Sequence, residues 1–233
     1  MPNDNWYLYT IDFPLVVLVL CLTCCMNVNP PKEGVFIIAK VDDASYEAAE
    51  RVSSLPPLDN TTVNTYTGYK EIADRINQMI KFLNREANAF NIPELDTTIE
   101  GYDKISKVVT ELTPLVNSYN GVVLSSKKVV RTNPDSLIEF QAASSRMALE
   151  VGLIYYATGY KASYDLVGFA YRSVGLNRLA FKCPTCVETI LSDAHWFIRD
   201  TFVEETGKQL EYWLTEAGNY MKGMKALQWQ SVT

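Results

Sequence analysis

From Tyr69 onward the apolar residues recur at steps of three and four, a period that restricts the chain to helices packed on one another. Tyr69, Ile72, Ile76, Met79, Leu83, Ala87 and Phe90 form one stripe, and Lys70, Asp74, Lys81, Arg85 and Asn88 occupy the opposite face. A half-buried strand would need alternation at two. Glu71 and Arg75 stand four apart in the order that supports a helix. Ile92-Pro93 predicts the end of this element, because the residue before a proline is pushed out of the α region. A second stripe begins at Pro93 or Asp96 and runs through Ile99, Tyr102, Ile105, Val109, Leu112, Val116, Tyr119 and Val123. Pro114 lies inside it and is expected to kink or divide the helix. Gly121 to Arg131 fits either its continuation or a strand-like hairpin arm.

Asn133-Pro134 predicts a further helix start, with Asn as the cap and Pro at the first helical position. Leu137, Phe140, Ser144, Met147, Val151, Ile154 and Thr158 follow at helical spacing, in a helix expected to reach about Val174. From Pro184 a last helix carries Val187, Ile190, Leu191, Ala194, Phe197, Ile198 and Phe202. Gly207 loosens it, and Leu210, Trp213, Leu214, Ala217, Met221 and Met224 resume it. The expected fold is all-α, an antiparallel bundle of four or more long amphipathic helices over residues 69–230.

The region before the bundle has a different character. Phe13 to Met26 is an uncharged apolar run of 14 residues, closed by Asn29-Pro30-Pro31. A spanning helix needs about 20 apolar residues, so the run suits a signal-peptide core. The preceding MPNDNWYLYTID carries Asp4 and Asp12 and no Lys or Arg, against the positive flank such a peptide normally has. A retained anchor helix starting near Trp6 accommodates that flank. Residues 1–28 are therefore read as a signal peptide or membrane anchor. Leu22-Thr23-Cys24-Cys25 resembles the lipobox of bacterial lipoproteins, except that Cys24 stands where that pattern has Gly or Ala. The resemblance implies a lipid on Cys25, and Cys24 and Cys25 beside an apolar run equally suit palmitoylation. Residues 29–68 read as an extended segment (Gly34 to Val41), a short helix (Asp42 to Val52) and a polar linker. Asn60-Thr61-Thr62 is a glycosylation sequon if the chain enters a eukaryotic secretory route.

Charge argues against nucleic acid. Of the net charge of −6, residues 1–60 contribute −5 through eight acids against Lys32, Lys40 and Arg51, and Lys127-Lys128 is the densest cationic spot. Displacing counterions from phosphates needs clustered Lys and Arg.

Cys183-Pro184-Thr185-Cys186 is the sharpest chemical motif. A CxxC pair at a helix start has a lowered thiolate pKa, the property on which thioredoxin-like redox motifs rely. Only 47 residues follow Cys186, however, and they read as helix, not as the mixed elements of a thioredoxin fold. In an oxidising compartment the pair forms a local disulfide instead. Cys183, Cys186 and His195 are too few for a structural zinc site, which wants four ligands, and one histidine cannot supply the paired Glu-x-x-His motifs of a di-iron bundle. No nucleophile elbow accompanies His195, and no phosphate-binding glycine motif occurs. No cofactor or metal is expected.

One segment is dense in small and aromatic residues. Gly152 and Gly159 are seven apart, as are Gly168 and Gly175, and Tyr155, Tyr156, Tyr160, Tyr164 and Tyr171 lie among them. Small residues one heptad apart let a second backbone approach, and an aromatic band marks a contact surface when it is not core. Lys161 and Asp165 argue against a membrane span here. The sequence thus points to an exported or membrane-tethered helical-bundle protein that binds or assembles with a protein partner or a second copy and is not catalytic. The alternatives are an α-helical pore-forming or membrane-remodelling protein and, behind it, a thiol-redox or metal-binding protein using the CPTC motif.

Overall fold

A computed structural model describes residues 36–59, 65–86, 92–131, 136–159 and 176–230. The chain divides into two compact units between Val41 and Asp42, and of the first only residues 36–41 are described. The described residues form helices α1 (Phe36–Ser53), α2 (Tyr66–Glu86), α3 (Ile99–Val108), α4 (Thr113–Arg131), α5 (Leu137–Ala157), α6 (Leu176–Lys182), α7 (Pro184–Thr201) and α8 (Glu204–Gln230). The fold is all-helical and its helices pack on one another, as the periodicity requires.

Helix α5 is the centre of the second unit, with α3, α4, α6, α7 and α8 all packed against it. Its sequence explains the position: between Phe140 and Ile154 the only charged side chains are Arg146 and Glu150. Twelve of its 21 residues are buried, and from Met147 to Ile154 burial is unbroken. A helix apolar on every side is stable only when enclosed. The surrounding helices are amphipathic by contrast. In α2 the expected stripe is buried through Tyr69, Ile72, Ile76, Met79 and Leu83, while Lys70 and Asp74 pair at 2.7 Å on the wet face.

Side-chain amides hold the extended segment between α2 and α3. Asn77 donates to the Leu95 carbonyl and accepts from the Leu95 N–H, both at 2.8 Å, and Asn84 does the same with Ile92 at 2.8 Å. The two asparagines are two helical turns apart on one face, so together they present to the segment what a neighbouring strand would present. Asn120 on α4 clamps Leu58 in the same way, at 2.8 Å in both directions. Each amide satisfies a backbone donor and acceptor that burial would otherwise leave orphaned. The start of α3 is equally specified. Thr98 caps it, accepting from the Gly101 N–H at 3.0 Å, and Asp96 accepts from the Thr98 N–H at 2.9 Å. A Cβ on Gly101 would collide with the Asp96 side chain and carbonyl.

Four expectations change. Gly34 to Val41 was expected to be extended, but the chain is helical from Phe36, in one helix continuous with the short one predicted at Asp42. Local β-branching loses there to helix continuation. The second stripe is divided, as Pro114 allowed, but the break lies at Val109–Leu112, with Pro114 inside the first turn of α4 where its missing N–H costs nothing. The stretch from Gly121 to Arg131 is helix. The last helix breaks at Phe202-Val203, ahead of Gly207, which sits inside α8. These two breaks satisfy each other. Thr110 N–H donates to the Thr201 carbonyl at 2.6 Å and Val203 N–H to the Val108 carbonyl at 3.1 Å, forming an antiparallel bridge between Val109 and Phe202. Finally, α5 ends at Ala157, short of the expected extent, whose remainder from residue 160 lies outside the described residues: Gly159 takes φ +71° and its N–H returns to the Tyr156 carbonyl at 3.0 Å. A glycine just past a helix end adopts this left-handed conformation without a Cβ penalty.

Replacing Asn77 by Ala leaves a buried N–H and a buried C=O of Leu95 without partners. We expect a loss of about 2–4 kcal/mol in urea unfolding, and a smaller loss for Asn120→Ala, whose clamp is half-exposed.

Candidate functional site

Three helices build one concave feature. The side of α7 that carries Val187, Leu191 and His195 faces Leu214, Gly218 and Met221 of α8, and Ala180 of α6 closes one end. The result is a groove of about 400 Å³ with an apolar floor, within the size range of binding sites for small molecules or side chains. Gly218 lies close to the Leu191 side chain, where an added Cβ would make an ordinary contact at 3.7 Å. Glu188, Ser192, His195, Thr215, Asn219 and Lys222 supply its polar lining. His195 is half-buried, with Nδ1 3.7 Å from Glu211 Oε1, an ion-pair separation only when the ring is protonated. Next to it Trp196 is exposed, with Arg199 stacked 4.8 Å from the ring centre.

The CPTC motif forms the elbow at one end of this groove. Cys183 caps α7, Pro184 occupies the first helical turn, and Cys183 is joined to Cys186 by a disulfide with 5.2 Å between Cα atoms. The Cys183 N–H also closes α6 by donating to the Leu179 carbonyl at 2.7 Å. With both sulfurs in the disulfide, neither is a thiolate ligand for a metal beside His195. Among the described residues no three His, Cys, Asp or Glu side chains come together in a metal-binding group.

Behind α7 lies a polar cluster that the sequence pattern did not single out. Glu150 of α5 is fully buried, and its Oε1 accepts from Arg146 Nε at 3.1 Å. The same guanidinium donates through Nη1 to Asp193 Oδ2 of α7, also at 3.1 Å. The Ser118 hydroxyl of α4 favours the charged carboxyl, yet neither Ser118 Oγ nor Glu150 Oε2 completes a hydrogen bond. Burial dominates: it pushes the Glu150 carboxyl up from 4.5 to about 7, with Arg146 and Ser118 opposing and Asp193 adding to the rise. A signal was present in the sequence. Glu150 is the one acid in an otherwise apolar run, with Arg146 one turn before it.

Of the residues expected to form a contact surface, four are among the described residues. Gly152 is in the core, Tyr155 and Tyr156 are half-buried, and Gly159 is exposed at the end of α5. Tyr160, Tyr164, Gly168 and Tyr171 lie outside the described residues, as do Cys24, Cys25 and Asn60. No helix among the described residues is long and apolar enough to cross a membrane.

Comparison with known proteins adds a relative without a function. The chain is 28% identical over 133 residues to an uncharacterized protein of Methanocaldococcus jannaschii, covering 56% of this chain and 55% of that one. It therefore spans about half the length of the curated relative it matches. No family model matches, and no solved structure does.

Two outcomes follow from the chemistry of this region. Folded protein holds the Glu150 proton up to about pH 7, whereas an unfolded chain releases it near 4.5. The folded state thus binds more protons in that window, and stability falls as the pH rises through it, by about 3 kcal/mol in all, then levels off. Urea midpoints measured from pH 4.5 to 8 should show this contribution, and Glu150→Gln should remove it while raising the midpoint at pH 8. For the disulfide, Cys183→Ser with Cys186→Ser opens a very small loop, so thermal unfolding should register a loss of at most about 2 kcal/mol.

Proposed function

We propose that this chain is an exported or membrane-tethered protein that works by binding or assembly and not by catalysis, with the groove between α7 and α8 as its contact surface. The observation that carries the reading is the groove itself: an open apolar floor with a polar rim and an exposed tryptophan beside it. Tethering rests on the apolar Phe13 to Met26 run, and export gains support from the Cys183–Cys186 disulfide, since such bonds persist mainly in oxidising compartments. An antiparallel bundle is the arrangement we infer for the helices, on the short connections from α3 to α4, α4 to α5, α6 to α7 and α7 to α8 and the reach of His195 on α7 to Glu211 on α8. A protein partner or a second copy of the chain is the proposed occupant.

Two measurements on the full chain test this. Intact-mass analysis of membrane and soluble fractions should find the chain in the membrane fraction or processed within residues 1–28; an unprocessed, unmodified, soluble chain overturns the tethering. A photo-reactive residue in place of Leu191 should yield a discrete protein adduct that Met221→Arg reduces at least tenfold without loss of helicity. No adduct, or one indifferent to Met221→Arg, overturns the contact surface.

A further inference from the structure

We infer that Glu150, Arg146, Asp193 and Ser118 form a proton-operated clasp between α5 and α7: with Glu150 protonated α7 is held firmly against α5, and with Glu150 ionised that contact loosens. The geometry is that of two carboxylates sharing one cation. Arg146 Nε reaches Glu150 and Nη1 reaches Asp193, each at 3.1 Å, so the guanidinium is the bridge between α5 and α7 in this cluster. Glu150 has no exposure, while Asp193 and Arg146 retain about a third of theirs, at 35% and 37%. Water therefore solvates the outer half of the cluster and not the inner carboxyl.

Among the described side chains, the charged and polar groups that act on Glu150 are Arg146 on α5 itself, Ser118 on α4 and Asp193 on α7; α3, α6 and α8 contribute none. A proton on Glu150 leaves one cation facing one anion, and the new O–H is a donor for the unpartnered Ser118 oxygen. Loss of that proton leaves two anions on one arginine, with the inner carboxylate fully enclosed and the Ser118 hydroxyl as its other favourable partner among the described residues. An isolated buried charge is costly, and outward movement of the α7 segment that carries Asp193 would admit the water that already reaches Asp193 and Arg146. Burial raises the proton affinity of Glu150 enough to place this change near neutral pH, so the device operates between ordinary compartments.

Hydrogen exchange of the full chain tests it. After correction for intrinsic base catalysis, amides of α5 from Met147 to Ile154 and of α7 from Ile190 to Ile198 should open at least tenfold more at pH 8 than at pH 5.5. Those of α2 from Ile76 to Leu83 should change less than twofold. Glu150→Gln should abolish the difference. His195→Gln should preserve it, which separates the clasp from the chain's one histidine, a residue type that changes charge in an overlapping range. Equal opening at both pH values, or a difference that survives Glu150→Gln, overturns the proposal. Should Glu150→Gln fail to fold, carbonyl ¹³C titration of the glutamates in the unaltered chain decides: one resonance with a midpoint between 6 and 8 is expected, and none above 5.5 overturns it.

Discussion

The enclosure of α5 is the constraint on which the rest of the structure depends. Its buried run from Met147 to Ile154 has no wet face, so five other helices must cover it before it is stable. Each buried Leu, Ile or Met contributes on the order of 1.5–3 kcal/mol relative to exposure, and α5 contributes several. The amphipathic helices around it have only one stripe to bury, so they can be arranged as a shell. Their outer faces are then free to carry charge pairs such as Lys70–Asp74 and Lys104–Glu100, both at 2.7 Å, which add little to stability at such exposure.

A shell of several helices creates many chain ends, and each end exposes backbone groups that a core cannot leave unpaired. Two devices meet this demand. Asn77, Asn84 and Asn120 use their amides as substitute peptide groups for the segments at Leu95, Ile92 and Leu58. The breaks at Val109 and Phe202 exchange backbone hydrogen bonds across the fold, so that interruptions 93 residues apart in sequence stabilise one another. Neither device depends on helix propensity, and both tie together segments that are distant along the chain.

The proposed function rests on what this packing leaves at the surface. Between α7 and α8, beside Gly218, an apolar floor remains uncovered, and the CPTC disulfide lies at the junction of α6 and α7. Glu150, the fully buried acid among the described residues, lies directly behind α7 and is linked to it by Arg146 and Asp193. The same helix therefore presents the proposed contact surface on one side and a titratable cluster on the other. The half-length likeness to an archaeal protein of unknown activity supplies no chemistry, so the case for binding rests on the groove.

Much of the fold was legible in the residues alone. The stripes beginning at Tyr69, Ile99, Leu137 and Val187 are helices, because spacing at three and four is a local property that tertiary contacts exploit and do not create. The CPTC motif marked Cys183 and Cys186 as a pair, but its spacing alone left disulfide, thiol and metal-ligand chemistry open. Helix breaks were not. Val109–Leu112 and Phe202-Val203 carry no decisive local signal; each is tolerated because the other supplies its hydrogen bonds, a fact about distance in space. The fate of Gly152, Tyr155 and Tyr156 was likewise undecided, as small and aromatic residues serve a core as readily as a contact surface until neighbours are in place. Glu150 shows the division most clearly. Its sequence determined that one acid would sit in an apolar helix beside an arginine, but only the enclosure by α4 and α7 decided that water would be absent, and the missing water is what raises its affinity for a proton.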